Sequence, residues 1–93
     1  MFGTSRAVPP QGETAWEYPD SSRVYAYQYD FAESQLRVRF KKYDTPWIYE
    51  GVTEPVFRAF DSSPSKGKYI NGTLNYTAYR QATPQEVAAH FDD

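Results

Sequence analysis

Covalent chemistry needs nucleophiles, proton carriers or metal ligands held close together, and this sequence supplies few. His90 is its only histidine, it has no cysteine, and its carboxylates are dispersed along the chain. General acid–base catalysis therefore lacks a second partner at short spacing. His90 reads as a solvated residue near the end of a short helix. One histidine among scattered acids makes no metal-ligand pattern, so no metal is expected. Gly67-Lys68 has two letters of a phosphate-binding loop, but Ser62 stands where the leading glycine belongs and Tyr69 where a magnesium-holding Ser or Thr belongs. No nucleotide or other cofactor is expected, and the chain reads as a non-enzyme. Asn71-Gly72-Thr73 and Asn75-Tyr76-Thr77 match glycosylation sequons by letter, without a secretory signal that would expose them to glycosylation.

What the residues can do is bind. The 93-residue chain holds nine Tyr, six Phe and two Trp, more rings than a small core accommodates, so some must face water or a partner. Leu36, Val38 and Phe40 alternate with Arg37, Arg39 and Lys41, the pattern of a strand with one apolar and one cationic face. If a helix covers only the apolar face, the cations line the other, where neighbouring strands could set Tyr25, Trp47 or Tyr49 among them. Such a face suits a protein partner, because Tyr, Trp and Arg dominate interface hot spots. The preferred function is accordingly a protein–protein interaction module using Tyr25, Arg37, Arg39, Lys41, Trp47 and Tyr49. The alternative is RNA or single-stranded DNA binding, with rings stacking on bases and cations meeting phosphates. Self-association through an edge strand or the exposed rings is a third outcome.

Net charge is −2 and the pI is near 5.3, which argues against a generic nucleic-acid binder. The charge is unevenly spread: from Arg23 to Lys42 there are five basic residues against Asp30 and Glu33. A basic stripe on an acidic protein is therefore compatible with the composition. No apolar run is long enough to span a bilayer, and residues 1–6 lack the order of a signal peptide, so a soluble cytoplasmic protein is expected.

The elements that would position these residues can be read along the chain. Residues 1–19, with Pro9-Pro10, Gly12 and Pro19, read as a flexible arm in which Trp16 is the anchor, docking back onto its own domain. Residues 23–31 and 36–41 form a hairpin. A bulge at Tyr25-Ala26 would send Val24 inward with Tyr27 and Tyr29, whereas a regular strand would align Tyr25 with them; the sequence leaves that phase open. Residues 47–52 add a third strand. Thr53-Glu54-Pro55 opens a helix with Val56, Phe57 and Phe60 as its apolar stripe. A second short helix follows near Tyr69, Ile70 and Leu74, and Thr83-Pro84-Gln85-Glu86 starts a marginal C-terminal helix by a capping box. The expected fold is α+β: a three-stranded antiparallel meander packed by one helix, with two further short helices. The domain spans residues 20–80, and the short helix with an acidic tail spans 81–93.

The order Ser21-Ser22, Tyr29-Asp30, Leu36, Val38, Phe40, Trp47-Ile48-Tyr49, Val52, Val56-Phe57, then Ser65-Lys66-Gly67-Lys68-Tyr69-Ile70-Asn71 resembles the KTSC domain. That module is found alone in bacteria and phages and at the C-terminus of some lysyl-tRNA synthetases. The resemblance covers roughly residues 20–76. Its central Tyr-x-Tyr stands here as Trp47-Ile48-Tyr49, and its Ser-x-Gly-x-aromatic-x-Asn run as Ser65, Gly67, Tyr69 and Asn71. It implies a structural or binding role for those four residues. Attachment to the synthetase implies RNA binding; the missing basic residues after Asn71 speak against that here. A compact, aromatic-rich domain with a Pro-rich arm is also similar to small non-structural proteins of actinobacterial phages, which implies a host protein as partner.

Overall fold

The strand alternation and helix caps of this sequence assemble, in a computed structural model that describes residues 12–91, into one antiparallel sheet with two helices on one face and a short C-terminal helical segment on the other. The strands are β1 (Val24–Asp30), β2 (Gln35–Phe40), β3 (Trp47–Tyr49) and β4 (Tyr79–Gln81), ordered β1-β2-β3-β4. The sheet thus has four strands, where three were expected. β4 pairs Ile48 with Arg80 and Tyr49 with Tyr79. Between β3 and β4 lie α1 (Glu54–Ser62), α2 (Lys66–Gly72) and a 3₁₀ turn (Leu74–Tyr76); after β4 come α3 (Pro84–Glu86) and a π-type turn (Val87–Phe91).

A bulge between Val24 and Ala26 settles the phase of β1. It turns Tyr25 out to solvent and places Val24, Tyr27 and Tyr29 in the core with Leu36, Val38 and Phe40. α1 begins at Thr53 with Pro55 in its first turn, and buries Phe57 and Phe60 against that sheet face. Three tyrosine hydroxyls tether the chain around this helix. Tyr29 donates to the Val52 carbonyl ahead of it while its ring stacks on Phe57 at 4.3 Å. Tyr69 donates to the Val56 carbonyl at 3.2 Å, and Tyr27 to the Asp61 carboxylate at 2.5 Å. Burial, reinforced by Asp61, pushes the Tyr27 hydroxyl well above its ordinary pKa. Much of the aromatic surplus is thus structural, each ring filling core volume while its hydroxyl satisfies a backbone or carboxylate acceptor.

The second sheet face is covered as well, by the two ends of the described chain. Thr14 and Glu17 hydrogen-bond through their backbones to Tyr29 and Tyr27, so the arm runs antiparallel beside β1. Trp16 does dock back: its ring lies 5.3 Å from Phe91, over Ile48 and Ala82. The remainder of the expected arm, residues 1–11, and the acids Asp92 and Asp93 of the expected tail lie outside the described residues. Thr83 and Glu86 form the reciprocal capping box that holds α3, and no helix among the described residues is long and apolar enough to cross a membrane.

Candidate binding surface

Four residues that looked like a motif in the sequence turn out to position a fifth. Ser65 caps α2, accepting from the Lys68 N–H at 3.4 Å. Gly67 leaves room for the stem of Arg23, whose Cδ would lie 3.2 Å from any Cβ placed there. Asn71 Oδ1 accepts from Arg23 Nη1 at 2.9 Å, and Tyr69 locks the helix to Phe60 and Val56. Ser21 Oγ accepts from the N–H groups of both Arg23 and Val24, shaping the entry to β1. The guanidinium of Arg23 ends 5.5 Å from the centre of the Phe40 ring, a cation–π arrangement. Among the described residues, Nη1 is its only side-chain nitrogen with a protein acceptor, which leaves donors for a ligand.

Arg23, Phe40 and Tyr43 recur in the lining of a set of neighbouring concavities. One, of about 560 Å³, lies between Trp16, Tyr18, Tyr25, Arg39, Lys41 and Tyr43. A second, sharing Phe40, Lys41 and Tyr43 with it, is lined by Arg23 and Lys42, and a third, sharing Ser22 and Arg23 with the second, by Lys66 and Lys68 beside α2. A fourth takes in Trp47, Tyr49 and Tyr79. Six cations line this surface, against the carboxylates of Asp20 and Asp44. They are also all the Lys and Arg side chains outside ion pairs among the described residues. Arg37, Arg58 and Arg80 are each paired with carboxylates. Tyr25 and Tyr43 are each 52% exposed here. Burial pushes the Tyr49 hydroxyl up to about 12 although Arg23 opposes it, so the phenol stays protonated.

The face expected to be open, with Arg37, Arg39 and Lys41 in a row, is not open. Arg37 is 1% exposed. Its Nε donates to Gln35 Oε1 at 2.9 Å, Nη1 to Gln28 Oε1 at 2.9 Å and Glu13 Oε2 at 2.6 Å, and Nη2 to Asp30 Oδ2 at 2.9 Å. It is a buried structural cation, enclosed because the arm and the C-terminal turns lie over its strand. Arg39 is half-buried, donating to the Phe91 carbonyl at 2.7 Å; Lys41 is exposed. Trp47 and Tyr49 are not interleaved with these cations. They share the helix-side face with Val38 and Leu36, their cross-strand partners. The two sets approach one another only around the end of the sheet, at Phe40 and Tyr43. Arg23, Lys42, Tyr43, Lys68 and Tyr79 were missing from the expected surface. Only the spacing of Arg23 and Lys42 around β1 and β2 hinted at them.

Among the described residues no group of three or more His, Asp and Glu side chains could hold a metal ion. A small antiparallel sheet with α1 and α2 on one face, the second helix clasping the first residues of β1, defines the class. The KTSC domain family model matches residues 20–76, and the chain belongs to the KTSC domain family. A KTSC domain protein from Yersinia pestis, known from a crystal structure, is 25% identical, with a TM-score of 0.69 over 77% of this chain and 100% of that one. No curated protein matches the chain. Trp16, Tyr18, β4 and Phe91 lie outside the matched span, so the cover of the second face and part of the concavity beside Tyr25 and Tyr43 are built from residues flanking the family core.

Proposed function

We propose that the protein is a non-enzymatic interaction module that binds a protein partner in the cytoplasm through the concave end centred on Arg23, Phe40 and Tyr43. The observation that carries this is the segregation of charge and rings: unpaired cations and exposed tyrosines share one surface, while the other described cations are consumed in ion pairs. Desolvated Tyr and Arg side chains are the groups that carry binding energy at protein interfaces. For a phage-encoded chain the partner would be a protein of the host cell.

The same surface also favours a second reading, binding of single-stranded nucleic acid. The balance of charge tells against it. The surface holds a net four positive charges in a chain of net −2, so the rest of the molecule carries six negative ones and repels a long polyanion. A pull-down from native-host lysate with and without nuclease, using Tyr43→Ala as control, separates the two. One protein retained after nuclease and lost in the variant supports the module; recovery that disappears with nuclease reverses the ranking.

A further inference from the structure

Resting on the protein-partner reading, we infer that the partner contributes an extended acidic segment with one aromatic anchor, and that the anchor seats in the concavity between Tyr18, Tyr25 and Tyr43. The chemistry of the lining selects that occupant. Lys41 and Arg39 face the concavity against a single carboxylate, Asp44, so a partner must bring negative charge. Tyr18 and Tyr25 meet edge to face at 5.6 Å between centroids and offer ring surfaces to a further ring. A volume of about 560 Å³ is sufficient for an aromatic side chain.

The cations continue beyond that concavity, which is why the occupant is a segment rather than a small molecule. The neighbouring concavities that share Phe40, Lys41 and Arg23 in their linings add Lys42, Lys66 and Lys68. The shorter dimensions of the molecule are 30 and 24 Å, which an extended chain of about eight residues crosses. An acidic segment of that length stays over the cationic surface, whereas a longer polyanion meets the acidic remainder. Trp16 and Tyr18 lie outside the family-matched residues 20–76, so part of the anchor site is built from residues that flank the family core.

Fluorescence anisotropy with labelled eight-residue peptides tests this. The probes are a Glu-rich peptide with one central Phe, its Phe→Ala and all-Gln versions, and an octa-uridylate. The Glu/Phe peptide should bind, weakened about tenfold by either change. Tyr25→Ser and Lys41→Glu should each weaken it several-fold, and Arg58→Ala, a cation paired elsewhere, should not. All three positions are exposed, so thermal unfolding should be unaltered. Equal binding of the altered peptides, absence of binding, or indifference to Tyr25→Ser and Lys41→Glu overturns the inference. A lysate partner lost with Tyr43→Ala whose contacting segment has no acidic residues overturns it too, yet leaves the protein-partner reading intact. Binding of octa-uridylate alone overturns both.

Discussion

Arg23, in the bend just ahead of β1, and Arg37, on β2, carry the same charge, yet the structure uses them in opposite ways. Arg37 is enclosed with four acceptor side chains, two of them carboxylates; removing it takes the guanidinium partner from Asp30 Oδ2 and Gln28 Oε1, both on buried residues. Arg37→Ala should cost about 3 kcal/mol, read from urea unfolding, since breaking a buried pair strands the partner charge. Arg23→Ala should change stability far less and act on binding. Arg37 occupies an outward position of an alternating strand, which reads as solvated; Gln35, Gln28 and Asp30 lie near it on the same hairpin, but Glu13, which closes over it, comes from the arm, too distant in the chain for any periodicity to report. Glu86 is a residue whose role was legible, because Thr83-Pro84-Gln85-Glu86 spells its cap. Its salt bridge to Arg80 holds its carboxyl at about 2, down from 4.5. The folded value lies below the unfolded one, so the contribution is present above about pH 5 and lost as pH falls toward 2. Because Arg80 is 41% exposed, solvent screening limits it to about 1 kcal/mol. Between pH 7 and pH 2, Glu86→Gln should lose less stability than the parent by most of that amount.

The hairpin, the third strand and α1 were legible as elements because each carries several consecutive signals: alternation in 36–41, a turn at Asp44-Thr45-Pro46, and Thr53-Glu54-Pro55 ahead of an apolar stripe. β4 was not: it is as short as β3 but its residues Tyr79, Arg80 and Gln81 are exposed or half-exposed, so it carries no apolar run to mark it. The second-face cover was legible only as a docking tryptophan. Its energetic weight is open to measurement. Trp16 packs on Phe91 with Ile48 and Ala82 beneath, so Trp16→Ala should remove about 2 kcal/mol of stability, lower the melting temperature, and expose β1 amides to hydrogen exchange. If β1 protection is unchanged, the arm is not the element that shields that edge. The candidate surface was half legible for the same reason. Its cations lie close in sequence at β1 and β2, but α2 brings Lys68 and Asn71 to them through a fold contact only.

At the scale of the molecule, β4 is the outer strand on the side away from the arm, and its Tyr79 is exposed. Sedimentation over a range of concentrations tests whether that edge pairs with a second copy; a monomer throughout, with Tyr79→Ser unchanged, would exclude self-association by this route. The division of charge has a further consequence. A chain with net −2 and its unpaired cations gathered at one end behaves as a strong electric dipole, and a dipole experiences torque in a field before it makes contact. The protein should therefore be retained at neutral pH by a cation-exchange resin that its pI says it ought to pass, and Lys41→Glu with Lys42→Glu should abolish that retention. A partner with a negative surface would meet the molecule already turned to face it, in encounters that lose their orientation as salt is raised.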